Sequence, residues 1–156
     1  MNFRTVFVIL AAITLTGCDP VNIKPSSTDL KTVLDVRQRA DQAYQQEDWS
    51  TAEREYRYLV ENVPNDAEPW FRLGNIYART GRLDAAVVAY REALVRDSKS
   101  SKAWHNLGIV QLRQASGTFV EMQQYTAPDD PLRERAQQVL NHMDALMSGF
   151  NTTNPE

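Results

Sequence analysis

The sequence predicts an all-α fold, a short α-solenoid of two to three helix–turn–helix repeats followed by a C-terminal capping helix. Three observations lead to this prediction. Apolar residues recur at helical spacing, one pattern of small and aromatic residues returns after 34 residues, and residues 131–147 form an amphipathic segment. A single helix–turn–helix unit cannot bury its own apolar face, so neighbouring units must be present for the chain to fold.

The clearest repeat spans residues 67–100 and turns at Gly81. Its pattern residues are Trp70, Leu73, Gly74 and Tyr77 in the first helix, and Ala86, Tyr90 and Ala93 in the second. This order, W-x2-L-G-x2-Y followed by A-x3-Y-x2-A, resembles the tetratricopeptide repeat (TPR), a helix–turn–helix unit of about 34 residues. The resemblance implies a TPR-type α-solenoid, in which stacked repeats bury one continuous core.

A degenerate repeat precedes it at residues 33–66. Its Ala40, Ala52, Tyr56 and Pro64 lie in register with Gly74, Ala86, Tyr90 and Ser98 of the next unit. Val36 and Arg39 replace the tryptophan and the leucine, so the second helix matches the repeat better than the first. We expect Ser50 to be the N-cap of that second helix, because a serine side chain can accept a hydrogen bond from a free backbone N–H.

The third repeat, residues 101–125, is partial. Its first helix restores the pattern at Trp104, Leu107 and Gly108. Gln124 then occupies the aromatic position of the second helix, and Pro128 interrupts it. Two interpretations stay open, since the first helix could continue to about Tyr125 or residues 114–126 could form a separate helix.

The capping helix is predicted over residues 131–147, with Asp130 as its N-cap. It would cover apolar surface left by the last repeat, so that the TPR domain spans residues 33–148 and a polar tail follows at 149–156. One face of this helix carries Leu132, Ala136, Val139, Leu140, Met143 and Leu146. The residues expected to fill the core are Trp70, Tyr77, Tyr90 and Trp104. Those expected at close helix crossings are Gly74 against Ala86, and Gly108.

The N-terminus predicts a targeting segment. Arg4 precedes an apolar run at residues 6–15, which is too short to span a bilayer and is typical of a signal peptide. The run ends in L-T-G-C, which resembles the lipobox of bacterial lipoproteins. That resemblance implies a lipoprotein signal peptide at residues 1–17 and an acylated Cys18 that anchors the chain in a membrane. The alternatives are an uncleaved anchor or an ordinary signal peptide.

Asp19 and the following segment refine this prediction. An aspartate directly after the acylated cysteine resembles the inner-membrane retention signal of enterobacterial lipoproteins. The expected location is therefore the bacterial cell envelope, facing the periplasm, with the inner membrane favoured over the outer. Two prolines and clustered Ser and Thr predict a flexible linker over residues 18–32.

Partner binding is expected on the face lined by the first helix of each repeat, which forms the concave groove of the TPR family. Carried onto this sequence, the groove residues (hereafter the predicted groove) are Arg37, Asp41, Tyr44, Glu68, Phe71, Asn75, Arg79, Lys102, His105, Ile109 and Arg113. Their mixed chemistry suits an extended or helical peptide. A basic clamp for a C-terminal carboxylate at Arg37 and Asp41 is not expected, because the acidic side chain would repel the ligand.

Composition argues against several other functions. The net charge is -3 and no basic stripe is present, so no nucleic-acid partner is expected. The single cysteine excludes an internal disulfide framework. His105 and His142 have no acid or cysteine at metal-ligand spacing, and Asp129 with Asp130 reads as a turn and a cap. No catalytic residue, metal or cofactor is therefore predicted.

The predicted function is a non-enzymatic, lipid-anchored adaptor or scaffold that binds a protein partner in the cell envelope. The size, the lipobox and the repeats resemble the TPR lipoproteins of tight-adherence (Flp) pilus assembly, which implies a role in assembling a pilus or secretion apparatus. An accessory subunit of outer-membrane protein assembly or of peptidoglycan machinery is the alternative. An enzyme subunit would require a constellation of side chains that the sequence does not show.

Overall fold

A computed structural model describes residues 27–152, which form six helices. These are α1 (Ser27–Gln45), α2 (Trp49–Asn62), α3 (Ala67–Arg79), α4 (Leu83–Arg96), α5 (Ser101–Tyr125) and α6 (Pro131–Thr152). The described part of the chain has no strand. Each helix packs against the next along the chain, and α3 also touches α5. The predicted all-α, TPR-like solenoid is confirmed.

The turns inside the first two repeats have the same geometry. Gly81 has a φ of 76° and Glu47, 34 residues earlier, has a φ of 56°. In both turns the next residue donates its N–H over 2.9 Å to a carbonyl five residues back, Arg82 to Tyr77 and Asp48 to Ala43. A left-handed conformation suits glycine and is unfavourable for glutamate. The first repeat therefore keeps the turn of the second without its glycine.

The core lies between successive helices in two clusters. One joins α1, α2 and α3 around Tyr56, Leu59 and Leu73, and the other joins α4 and α5 around Tyr90 and Leu107. Fully buried alanines, Ala40, Ala52, Ala86 and Ala103, allow the helices to approach closely. The half-buried rings of Trp70 and Tyr77 pack against both clusters, so α3 connects the two halves of the stack.

Two expected close crossings differ from the structure. A Cβ on Gly74 would lie 2.5 Å from Cδ1 of Tyr90, so this glycine makes room for a tyrosine ring rather than for Ala86. A Cβ on Gly108 would meet nothing within 4 Å. The expectation at Gly108 was wrong because no helix crosses α5 at that point.

Trp104 is the second core expectation that was wrong, since 56% of it is exposed. The equivalent Trp70 is covered by the Arg96 guanidinium, which lies 4.9 Å from its ring. Arg96 comes from the second helix of its repeat. The residue 34 positions later, Asp130, lies in the loop before α6 instead. Trp104 is exposed because the third repeat has no second helix at this place.

The N-cap of α2 is Asp48 rather than Ser50. The Asp48 Oδ1 accepts hydrogen bonds from the Thr51 backbone N–H (3.1 Å) and from the Ser50 hydroxyl (2.8 Å). These bonds lower the pKa of the Asp48 carboxyl to about 2. At the start of α6, Asp130 Oδ1 accepts the Leu132 N–H over 2.8 Å, which is the bond expected of its predicted capping role.

The C-terminal region is a hairpin of two long helices. Helix α5 continues unbroken to Tyr125, and α6 packs back along it. The hairpin is closed by Arg133, whose Nη1 donates to the Gln123 carbonyl over 2.6 Å, and by the Ser116 hydroxyl, 3.2 Å from Met143 Sδ. Both helix pairs of the solenoid therefore end against a helical lid.

Two boundaries differ from the predictions. Helix α1 begins at Ser27, inside the predicted linker, because Asp29 in its first turn favours helix formation and no proline follows Pro25 there. Helix α6 extends to Thr152, five residues into the region beyond the predicted 147, since the next proline is Pro155.

Candidate functional site

Side chains connect the first helices of the three repeats into one surface. The guanidinium of Arg72 on α3 lies 4.9 Å from the ring of Tyr44 on α1. On the other side, Asn106 Nδ2 of α5 donates to Asn75 Oδ1 of α3 over 2.9 Å. The predicted groove is therefore a continuous side-chain surface across α1, α3 and α5.

The floor of this surface contains a repeated pair of side chains. In the second repeat, the Tyr90 hydroxyl donates to Asn75 Oδ1 over 2.8 Å. In the first, the Tyr56 hydroxyl donates to Asp41 Oδ1 over 2.7 Å. Burial raises the pKa of both tyrosines, so they stay neutral donors at physiological pH. The third repeat ends the series, because Ile109 occupies the acceptor position.

The α1 end of the predicted groove is already occupied by internal contacts. Arg37 Nη2 pairs with Asp66 Oδ2 at 2.5 Å, and Asp41 accepts the Tyr56 hydroxyl. A shallow open depression follows this helix and is lined by Leu34, Arg37, Gln38, Asp41, Gln42 and Gln45. Arg37 is therefore committed to an acid within the chain, and its charge is largely compensated.

The middle of the predicted groove is aromatic and polar. The half-buried ring of Phe71 lies 6.0 Å from that of Tyr90, tilted by 50°. Glu68 Oε1 accepts from Arg72 Nε over 2.7 Å. Asn75 uses its carbonyl oxygen twice, whereas its Nδ2 donates no hydrogen bond within the described residues. Asn75 therefore offers two N–H groups to a ligand.

Two exposed arginines stand at the end of α3 and at the equivalent position in α5. The Arg79 guanidinium lies 5.5 Å from the ring of Trp49, and Arg113 Nη1 donates to the Ala78 carbonyl over 3.0 Å. Within residues 27–152 neither arginine has a carboxylate oxygen within 4.0 Å. Both positive charges are therefore uncompensated by an ion pair.

The remaining predicted positions are less closely connected. Lys102 and His105 are exposed on the first turns of α5, and Ile109 is half-buried one turn further along. The predicted lipidation site Cys18 and the sorting residue Asp19 lie outside the described residues.

Sequence reasoning missed Arg72, Asn106 and Trp49 as groove residues. Arg72 and Asn106 are 34 residues apart, each directly after a position assigned to the groove, so the repeat period could have identified them. Trp49 gave no such signal, because it belongs to the turn before α2 and reaches the surface only through its contact with Arg79.

The described residues contain no group of three or more His, Cys, Asp and Glu side chains that could hold a metal ion. None of the six helices has the length and apolar character needed to cross a membrane. The chemistry that the surface does offer is hydrogen bonding, ring packing and positive charge.

Comparison with known proteins identifies the repeat. The model of the tetratricopeptide repeat family matches residues 37–101. The chain is 46% identical over 45 residues to a TPR repeat-containing protein of Halalkalibacterium halodurans, a match covering 29% of this chain and 20% of that protein. It is 34% identical over 68 residues to a general transcriptional corepressor of Schizosaccharomyces pombe, covering 42% of this chain and 6% of the corepressor.

The chain thus spans a fifth or less of the length of both relatives. Both similarities concern a segment shorter than half of the present chain. What they have in common with it is the repeat unit, in agreement with the TPR-like helix pairs that the structure shows.

Proposed function

We propose that this chain is a non-enzymatic adaptor that binds a protein partner through the predicted groove. The observation that supports this most directly is the continuous side-chain surface across α1, α3 and α5. Its half-buried rings and free polar groups, such as Phe71 and Asn75, are available to a ligand while the core beneath them is already filled. TPR units generally serve protein–protein interaction, which agrees with such a surface.

The groove can be tested by site-specific crosslinking. A photoreactive phenylalanine analogue at Phe71 keeps an aromatic ring in the groove, and we expect it to capture a partner protein from envelope membranes. The matched control places the same analogue at Val88, which is exposed on α4. Equal capture from both positions, or none from Phe71, would argue against groove binding.

We further propose that the chain is tethered to the bacterial envelope by acylation of Cys18. Support comes from the apolar run at residues 6–15 and from the L-T-G-C sequence that ends it. Acyl chains anchor a protein because each buried CH₂ contributes about 0.8 kcal/mol. Replacing Cys18→Ala should abolish labelling by a radioactive fatty acid and release the protein from membranes. Unchanged labelling would contradict the proposal.

The proposed setting is the assembly of a pilus or secretion apparatus, with the protein facing the periplasm and Asp19 favouring the inner membrane. The partner captured at Phe71 decides between this setting and its alternative. A pilus or secretin component supports the first, whereas a cell-wall synthase or an outer-membrane assembly factor supports the alternative role as an accessory subunit.

A further inference from the structure

The arginines of the first helices fall into two classes. Arg37 pairs with Asp66 at 2.5 Å and Arg72 pairs with Glu68 at 2.7 Å. Arg79 and Arg113 have no acidic partner within the described residues, although both are exposed on the same surface. Two uncompensated positive charges of this kind repel each other and are stabilised by a bound anion.

Contacts with neutral groups hold both guanidiniums in place. Arg79 packs over Trp49, and Arg113 donates one hydrogen bond to the carbonyl of Ala78, the residue directly before Arg79. A guanidinium has five N–H donors, so most of the donors on each side chain remain available. This arrangement positions the two cations beside each other at the C-terminal end of α3.

Asn75 belongs to the same cluster. It lies one turn before Arg79 on α3, and its Nδ2 has no acceptor within the described part of the chain. Its partner Tyr90 senses both arginines, since burial raises the pKa of that hydroxyl while the charges of Arg79 and Arg113 act against the effect. The amide donor and the two guanidiniums therefore surround one region of the predicted groove.

The nearby acids do not neutralise this cluster. Asp84, which follows the same turn, accepts a hydrogen bond from Gln114 Nε2 over 2.6 Å. Asp48 caps α2 and binds Thr51 and Ser50. The chain as a whole has a net charge of -3, so an acidic ligand would be attracted only to a local basic site such as this one.

We infer that Arg79, Arg113 and Asn75 recognise side-chain carboxylates of an acidic segment in the partner protein. The inference rests on the proposed adaptor function and specifies the chemistry of its partner. Carboxylates match the fork of N–H groups on arginine, and charge-assisted bonds of this type give direction as well as affinity. Sequence neighbours such as Glu-Glu or Asp-Glu would place one carboxylate on each guanidinium.

Calorimetric titration of the full chain in detergent micelles tests this inference. The probes are an oligoglutamate peptide with both ends blocked, the corresponding blocked oligoglutamine, and oligoglutamine with a free C-terminal carboxylate. The test variant is Arg79→Gln with Arg113→Gln. The matched control is Arg91→Gln with Arg135→Gln, which removes two exposed arginines that also lack an ion pair.

We expect oligoglutamate to bind the wild type at least about tenfold more tightly than oligoglutamine does, and the test variant to lose that difference. The control variant should stay within about twofold of the wild type, because removing charge elsewhere changes only long-range attraction. An Arg79→Lys, Arg113→Lys variant should fall between them, since it keeps the charge without the fork. Thermal melting followed by circular dichroism verifies that every variant is folded.

Three results would overturn the inference. They are equal oligoglutamate affinity in the test variant, an equal loss in the control variant, and equal binding of oligoglutamine with a free C-terminus. The adaptor function fails separately, because it is judged by crosslinking at Phe71. Capture that persists in the Arg79→Gln, Arg113→Gln variant would leave the adaptor role intact and reject the acidic partner.

Discussion

At the scale of single residues, Tyr90 links the core to the predicted groove. Its ring is 1% exposed and fills the space above Gly74, while its hydroxyl reaches Asn75 on the groove floor. Tyr56 has the same position and the same type of bond to Asp41 in the first repeat. The acceptor residues of the groove are therefore oriented by side chains of the second helices.

Replacing Gly74→Ala tests the close contact with Tyr90. The new methyl group would lie 2.5 Å from two ring carbons of a side chain that is itself buried. We expect a loss of about 1–3 kcal/mol in the free energy of unfolding, measured by urea denaturation. Gly108→Ala is the control, because its methyl group would meet nothing within 4 Å. That change should raise stability by up to about 1 kcal/mol, since alanine favours helix.

The buried tyrosines predict a loss of stability at alkaline pH. Burial, together with the bond to Asp41, raises the pKa of Tyr56 above its usual value of 10.0, and burial does the same for Tyr90. The unfolded chain then releases protons that the folded chain keeps, so stability is full below pH 10 and falls as the pH rises further.

Stability measured against pH in the Tyr56→Phe and Tyr90→Phe variants checks this reasoning. Each variant should show a shallower decline above about pH 10, because one group that titrates differently in the two states is gone. Tyr125→Phe is the control, since that side chain is exposed. An unchanged slope in Tyr56→Phe would contradict the link between burial and alkaline unfolding.

Residue identity alone could not predict the environments of Trp70 and Trp104. Both occupy the same repeat position, but only the first is followed by a returning helix that brings Arg96 over its ring. The indole Nε1 of Trp104 donates to the Ser98 carbonyl over 3.0 Å. The equivalent carbonyl, Pro64, accepts from Arg96 Nε instead, which leaves the buried Trp70 Nε1 without a partner in the described residues.

At the scale of elements, the C-terminal lid is the most independent part. Among the described helices, α6 packs only against α5. Its buried contacts are made by Ala136 and Leu140, while Leu132, Val139 and Leu146 on the adjoining side are exposed. In a repeat stack each element is stabilised chiefly by its neighbours, so α6 should open without unfolding the repeats.

Replacing Ala136→Arg should undock this lid. Ala136 is 2% exposed, and a buried guanidinium without a partner is strongly unfavourable. We expect amide hydrogen exchange in α6 to increase by about tenfold or more while exchange in α3 stays unchanged. The control Gln138→Arg adds the same side chain at an exposed position. Equal acceleration in α3 would show that the lid and the repeats unfold together.

Element type was more predictable than element boundaries. The second helices of the first two repeats follow from Ala52 and Tyr56, and from Ala86 and Tyr90, because small and large side chains alternate where helices pack. The starts of α1 and α2 were misplaced, since Ser27 and Asp48 depend on local hydrogen bonds and dipole compensation that several nearby polar residues could provide. For the groove, the 34-residue period predicted which helix faces are shared, but the ion pairs that occupy Arg37 and leave Arg79 unpaired require the three-dimensional arrangement.

At the scale of the whole molecule, two core clusters are joined through α3. Trp70 and Tyr77 contribute to both clusters. Polar contacts also cross between repeats, among them Arg82 with Glu53 at 2.6 Å and Gln114 with Asp84 at 2.6 Å. The exposed ion pairs contribute little individually, so the shared aromatic residues are the main source of cooperativity.

Trp70→Ala should weaken this cooperativity as well as the fold. We expect a loss of about 3 kcal/mol in the free energy of unfolding, at the lower end for a tryptophan because the ring is only half-buried. The slope of the urea transition should also decrease, as the two halves begin to unfold separately. Trp104→Ala, at the equivalent but exposed position, should cost about 1 kcal/mol or less and leave the slope unchanged. Similar effects of both changes would contradict the bridging role of Trp70.

The contact between Arg79 and Trp49 has an optical consequence. An indole's emission responds to the electric field of nearby charges, and the Arg79 guanidinium lies 5.5 Å from that ring. A carboxylate bound to Arg79 would change this field while the surroundings of Trp70 and Trp104 stay the same. With the other two of the chain's three tryptophans replaced by phenylalanine, the protein would report occupancy of its own groove as a change in colour or brightness, without any attached dye.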